Sequence, residues 1–347
     1  MKTNEIKIDP LILKFVDNHY SSSSKDNFIM STNNIINIKS ISSLNFKNIL
    51  NLEKSNSFRY TNKFFEAINT VLPKNGKYIG CVETIELRKI RLRKKYLPFI
   101  WRIYHFFDFI FTRIFPRLFF FKKIYFFITK GESKVISKSE VLGRLVSCGF
   151  EIIDFKIINL EYPLLYFIVQ KKCKPLNNLK ASYGPLFKMR RVGQNGEIIG
   201  VYKMRTMHPY SEYLQEYVLK KNGNSISGKI LNDFRIPHWS RFLRKYWLDE
   251  LPQILNVLKF EMNIFGPRPV SEIRFNQFPK TLQNRRIKYK PGCIPAYLAF
   301  NYNSDSNSLI KSEIKYLDML EKYGSIINFF LMIIAIYNIV FKARRSS

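Results

Sequence analysis

Apolar side chains between residues 61 and 72 recur at three- and four-residue spacing: Phe64, Phe65, Ile68 and Val71. That period predicts an amphipathic helix, which Pro73 and the Asn75-Gly76 pair stop. The next stretch, KYIGCVE, is a short apolar run and predicts a strand. The pattern returns in SEVLGRLVSCGFEIIDFKI and LLYFIVQKK, which read as a helix ending at Gly149 followed by a two-stranded hairpin. Residues 1 to about 60 are polar, rich in Asn, Ser and Lys, with only short apolar runs such as NNIINIKSI. Beyond a Pro- and Asn-containing join at 173–183, GPLFKMRRV and EIIGVYKMRTM predict two strands around a Gln194-Asn195-Gly196 turn. The fold class expected is therefore α/β (α+β). A small N-terminal α/β domain spans 1–172, 173–183 is a linker, and 184–347 is a second domain of short strands and amphipathic helices.

Two apolar stretches do not fit a core. Residues 94–130 are dense in aromatics, yet Arg102, Asp108, Arg113, Arg117, Lys122 and Lys123 interrupt them and Pro116 would break a helix. A span needs about 20 mainly apolar residues, so the expectation is an interfacial or re-entrant element whose cations reach headgroups; the bland alternative is a core helix pair. Residues 323–341 carry no charge and just reach spanning length. Asn328, Tyr337 and Asn338 favour a helix in the interface or packed on the second domain over a true span, and the basic tail after Lys342 favours a cytoplasmic end.

Composition sharpens this picture. The 347 residues are 46% hydrophobic and 16% aromatic, with 57 Lys and Arg against 26 acids, a net charge of +31. Such an excess calls for an anionic partner. The cations alternate with Phe-, Ile- and Leu-rich runs rather than lying in Gly/Ser-rich arms, which favours an anionic membrane surface over nucleic acid. Cys81, Cys148, Cys173 and Cys293 are scattered without a CxxC pair, so neither a disulfide framework nor a zinc site is expected, and a reducing compartment suits them. The first residues lack a secretory h-region.

The remaining chemistry concentrates in RFLRKYWLDELPQILNVLKFEMNIFGPRPV, residues 241–270, where the acidic pair Asp249-Glu250 follows Arg241, Arg244 and Lys245. By itself the pair reads as the face of an amphipathic helix, with Pro252 kinking it. His208 and His238 lack a second ligand at metal-binding spacing and read as structural. Together with RRVGQNGEIIGVYKMRTM, IFGPRPV and RRIKYKPGCIP, in that order and spacing, the stretch resembles the bacterial sugar transferases, monotopic polyprenyl-phosphate glycosyl-1-phosphate transferases, over about residues 182–300. More weakly, residues 61–90 and 139–172 resemble the C-terminal half of class I methyltransferases, without the glycine-rich cofactor loop.

The first resemblance implies a membrane enzyme at the cytoplasmic face of the bacterial inner membrane. It moves a sugar 1-phosphate from a UDP-sugar to polyprenyl phosphate and so begins exopolysaccharide, capsule, O-antigen or glycoprotein glycan assembly. Asp249 is the implied nucleophile, and Glu250 either helps hold Mg²⁺ or manages a proton. Mg²⁺ shared by Asp249 and Glu250 would relieve the repulsion between two adjacent carboxylates. Arg244 and Arg268 are implied phosphate ligands. Lys203 and Arg205 either meet the nucleotide phosphates or pair with Asp233 or Glu250. Three departures stand out: Tyr246-Trp247 replaces two small residues, Phe260 takes a glycine position, and a late arginine after the KPG stretch is lost. The membrane helix expected directly before the first basic strand is replaced by a hairpin and linker. A competing reading is a catalytically weak membrane scaffold for a glycan assembly complex.

Overall fold

Period-two alternation decides how the first sheet is covered. In the computed structural model, which describes residues 8–21, 26–42, 44, 46–159, 161–176, 184–223, 232–300 and 306–342, five strands form that sheet. They are β1 (Asn27–Met30), β2 (Asn48–Lys54), β3 (Lys77–Val82), β4 (Phe150–Ile158) and β5 (Leu164–Lys171), ordered β1-β2-β3-β5-β4. The first three run parallel, and β5 lies antiparallel between β3 and β4. Along β3, Tyr78 faces Phe65 and Phe167, with ring centroids 6.1 and 5.8 Å away, beneath the helix Thr61–Val71. The intervening Ile79 and Cys81 face the other way, against Ile12, Phe15 and Val16 of the helix Pro10–Asp17.

The polar first 60 residues thus hold two strands that periodicity did not predict. Asn51 in β2 is fully buried: its side-chain carbonyl accepts from the Thr32 amide (3.0 Å) and its amide donates to the Thr32 carbonyl (2.9 Å). Buried asparagines that replace backbone partners read as loop in a sequence.

Between β3 and the helix Lys138–Ser147 the chain leaves the sheet. Helices Ile85–Lys95 and Ile100–Phe109 lead through a π-helical turn, Ile110–Ile114, and a 3-10 turn, Phe115–Arg117, into the helix Phe119–Thr129. Pro116 stands in the reversal, where its missing N–H costs least. The base of this excursion is tied down by ion pairs. Arg113 donates to Glu140 (2.5 Å) and to the Val135 carbonyl (2.8 Å), and Arg88 grips both oxygens of Asp108 at 2.7 and 2.5 Å.

The chain forms two compact units, one of residues 1–183 and 208–222, the other of 184–207 and 223–347. Residues 208–222, read from sequence as part of the second domain, therefore belong to the first unit. Tyr210 accepts a hydrogen bond from Asn62 (2.7 Å) beneath the Arg144 guanidinium, 4.6 Å from its ring, while Leu214 and Val218 are fully buried. Their four-residue spacing was the available signal.

In the second unit, β6 (Leu186–Val192) and β7 (Ile198–Met204) form the expected antiparallel hairpin, with Asn195 left-handed in its turn. β8 (Asn263–Gly266) pairs parallel with β9 (Gly292–Pro295). The core gathers Trp247, Phe265, Leu282, Tyr316 and Leu317 against helices Ser306–Tyr323 and Ile326–Val340. One face of the last helix packs inward through Leu331, Ala335 and Asn338, and no helix among the described residues is long and apolar enough to cross a membrane. The asparagines explain themselves: Asn338 donates to the Leu298 carbonyl (2.9 Å), and Asn328 accepts from the Tyr316 hydroxyl (2.9 Å). The basic tail after Lys342, residues 177–183 of the expected linker and residues 301–305 lie outside the described residues.

Two substitutions test this packing. A Cβ on Gly292 would run into the Gly266 backbone nitrogen across β8 and β9, so Gly292→Ala should lower stability by about 1–3 kcal/mol in denaturant melts. Phe260 explains its departure from the family pattern in reverse: its φ is +58° and the side chain is 78% exposed, a conformation that glycine adopts without strain. Phe260→Gly should raise stability by about 1 kcal/mol.

Candidate active site

Asp249 and Glu250 do not sit on the α-helix that the sequence suggested. The helix His238–Lys245 ends, Trp247 adopts a left-handed backbone (φ +60°), and the acidic pair falls in the 3-10 segment Leu248–Gln253, followed by the helix Ile254–Leu258. Pro252 lies within the 3-10 segment and kinks no α-helix. A left-handed non-glycine residue is the kind of local strain that clusters at functional sites. Here it reverses the chain immediately before the carboxylates.

The result is a buried acidic pair with a cation between its members. Asp249 is 4% exposed. Lys203, at the end of β7, places Nζ 2.6 Å from Glu250 Oε1 and 3.1 Å from Asp249 Oδ2. Of the two partners weighed for Lys203, the structure gives Glu250. Asp233 is taken by Arg235, which grips it at 2.8 and 2.7 Å. Arg205 goes elsewhere: it donates to the Gly184 carbonyl (3.1 Å) and stacks over Phe187 at 5.3 Å, so strand alternation does not bring it to Lys203's partners.

Arg244 Nε donates to the Thr206 hydroxyl (2.8 Å), which fixes the guanidinium beside the end of β7. Burial lowers its pKa, and the nearby Asp249 and Asp233 carboxylates act against that shift. Arg268, in the stiff Pro267–Pro269 loop, lies over the Tyr297 ring at 5.6 Å and lines a cavity of about 250 Å³ with Arg191, Ser271, Arg274 and Phe278. Arg191 on the cavity wall is within electrostatic reach of Glu250. Burial and Arg268 lower its pKa, while Glu250 raises it. Cys293 on β9 also senses Glu250: burial first, then that carboxylate, push its thiol up to about 12.

Several residues that hold this arrangement escaped the sequence reading. Asn256, fully buried, accepts from the Tyr202 amide (2.9 Å) and donates to the Gly200 carbonyl (2.9 Å), clamping β7 next to Lys203. A lone Asn among the apolar residues of LPQILNVL was its signal. Arg286 donates to the Arg268 carbonyl and pairs with Glu313, a buried countercharge that fixes the arginine loop. Gln253 donates to Glu250 Oε2, and its own carbonyl oxygen is buried with no hydrogen-bond partner among the described residues.

That orphaned oxygen and the two carboxylates are oxygen donors of the kind Mg²⁺ takes, an ion usually bound through one or two carboxylates plus substrate phosphate, although here the Lys203 ammonium bridges the carboxylates. The described residues hold no group of three or more His, Cys, Asp or Glu side chains that could cage a metal without substrate. Neither His208 nor His238 stands in such a group among the described residues.

Comparison with known proteins adds an independent line. The chain is 34% identical over 139 residues to the galactosyl transferase CpsE of Streptococcus agalactiae serotype III (strain NEM316), which covers 39% of this chain and 31% of that protein. It is 30% identical over 136 residues to the exopolysaccharide production protein ExoY of Rhizobium meliloti (strain 1021), covering 38% and 58%. To the UDP-glucose:undecaprenyl-phosphate glucose-1-phosphate transferase of Klebsiella pneumoniae it is 33% identical over 135 residues, covering 38% and 27%. The chain therefore spans less than two thirds of each of these relatives. The model of one family, described as bacterial sugar transferase, matches residues 153–342, more than half of the chain. The ordered motifs, the buried acidic pair they build and this match agree: the chain belongs to the bacterial sugar transferase family.

Proposed function

We propose that the chain transfers a sugar 1-phosphate from a UDP-sugar to polyprenyl phosphate through an intermediate on Asp249, the first step of a cell-surface glycan. The observation that carries this reading is the buried Asp249 carboxylate, held with Glu250 against Lys203 and within electrostatic reach of Arg244. The donor and acceptor classes follow the Klebsiella relative, whose name states both.

An oxygen of Asp249 attacks the phosphorus that bears the sugar. The bond from that phosphorus to the bridging oxygen breaks, and UMP leaves with the bonding pair. A phosphate oxygen of the lipid then attacks the same phosphorus, the aspartyl–phosphorus bond breaks, and the Asp249 carboxylate is regenerated. Arg244 and Lys203 face the charge that gathers on the phosphoryl oxygens, a preorganised stabilisation that is strongest in a dry site. Arg191, Arg268 and Arg274 supply the anion-binding wall for the donor phosphates. Mg²⁺ held by Asp249, Glu250 and the Gln253 carbonyl would add charge neutralisation for the diphosphate. Glu250, already shared between Lys203 and Gln253, keeps both side chains aimed at the nucleophile.

The acceptor is a lipid, and the elements flanking the pair suit one. Trp239, Phe242 and Tyr246 on one side, and Leu251, Ile254 and Leu258 on the other, expose apolar side chains beside Arg241 and Lys245. A surface of that kind rests on a bilayer, and we assign it to the cytoplasmic leaflet of the inner membrane.

Purified protein in detergent with Mg²⁺, polyprenyl phosphate and a panel of UDP-sugars should release UMP. Asp249→Asn should lower turnover by about 10³-fold or more, and mass spectrometry of the wild type given donor alone should show a sugar-phosphate adduct that the variant lacks. Silence of both proteins across the panel, with lipid binding intact, would instead establish the scaffold. Lys203→Ala and Arg244→Ala should each cost about 10²–10³-fold in kcat, the scale of a lost oxyanion contact, whereas Arg205→Ala should stay close to wild type. Chelation by EDTA should abolish release and added Mg²⁺ should restore it; activity indifferent to EDTA would remove the metal from the scheme.

A further inference from the structure

The helical excursion of the first unit has an outer surface that water does not suit. In its helix Ile100–Phe109 no residue is fully buried, and the Asp108 carboxylate turns inward. Phe99, Phe106, Phe107 and Ile128 are exposed, and Phe120 and Phe127 are 81% and 88% exposed. Large aromatic side chains exposed in such number within one segment mark an interaction site. The excursion is nevertheless built, not loose. Its π and 3-10 turns pack on the helix Phe119–Thr129 through Phe111 with Tyr125 and Phe115 with Phe121, at centroid distances of 5.4 and 4.5 Å. Tyr125 is fully buried and donates to the Glu132 carbonyl (2.9 Å), and Arg113 and Arg88 fasten the base to Glu140 and Asp108. Ordered residues that bury their polar ends and expose their aromatic rings are shaped for an apolar medium.

Charge selects the medium. Between residues 93 and 130 the sole acid is Asp108, and its carboxylate is turned inward onto Arg88. Arg93, Lys94, Lys95, Arg102, Lys122 and Lys123 are exposed around the aromatic surface. Helices of 10 and 11 residues are each about 15–17 Å long, roughly half of the ~30 Å hydrocarbon layer. Neither can cross it, and the turn between them is held to Glu140 and the Val135 carbonyl by Arg113, so the two helices suit the interface of one leaflet.

We propose that this helical segment, residues 97–129, rests in the interface of one leaflet of an anionic bilayer, with Phe120 and Phe127 among the acyl chains and the six cations in and beside it on lipid phosphates. The segment lies wholly outside the stretch matched by the sugar transferase family, 153–342, so it is an attachment of the first unit itself. It does not depend on the transfer chemistry.

Hydrogen–deuterium exchange on the full chain, bound to phosphatidylcholine vesicles with and without phosphatidylglycerol, tests the proposal. Backbone amides of 97–129 should gain protection on the anionic vesicles, in the wild type and in Asp249→Asn alike. Phe120→Asp with Phe127→Asp should abolish that protection, and Lys94, Lys95, Lys122 and Lys123 all replaced by Gln should weaken vesicle partition by about tenfold or more. Both sets alter exposed positions, and circular dichroism reports whether each variant is folded. Protection confined to 326–340, with 97–129 unchanged in the wild type, would overturn the proposal even if UMP release is robust. So would self-association through this segment, seen as oligomers without lipid that the double Phe→Asp variant dissolves.

Discussion

One ammonium group holds the second unit's chemistry together. Lys203 reaches both carboxylates of the acidic pair from the end of a strand, 2.6 and 3.1 Å away. Two adjacent carboxylates in a buried setting repel each other unless a cation lies between them. The strand end must therefore be fixed to better than the length of a hydrogen bond, and much of the surrounding sequence does that work. Asn256 clamps the backbone on either side of Val201, Thr206 takes up Arg244, and the β6–β7 hairpin sets the register that points Lys203 inward.

The arginine side of the site is held by different means. Gly266 and Gly292 allow two short parallel strands to approach more closely than side chains would permit, which sets the loop carrying Arg268 next to β9. Arg286, buried and paired with Glu313, holds that loop by its carbonyl. The glycines of the GPRP and KPG stretches are thus explained by a single contact between them. The arginines on the cavity wall keep their positive charges close together, a costly arrangement in the absence of anionic ligand.

Periodicity made the helix Thr61–Val71, the strand β3, the β4–β5 hairpin and the β6–β7 hairpin legible, because each buries apolar side chains at a regular spacing. It failed at β1 and β2, where Asn51 does from a side chain what loops do with their backbone. It also failed at the acidic pair. The residues were recognisable, but their setting was not, since a left-handed Trp247 cannot be read from helical spacing. Lys203 and Arg205 looked equivalent by alternation, yet β7 ends at Met204, and past a strand's end the period of two no longer governs where a side chain points. Asn256 and Arg191 act through distant partners, which a local pattern does not carry.

Residues 208–222 begin two positions after the Thr206 that seats Arg244, yet their Tyr210, Leu214 and Val218 are packed into the first unit. The polypeptide crosses from one body to the other and back again. The first unit is for that reason no detachable appendage: a gene cut at the apparent linker would part that oily loop from the body it packs in. Recombination that swaps this half for another must supply a new socket for the same loop, which narrows the paths by which such an architecture can be inherited in pieces.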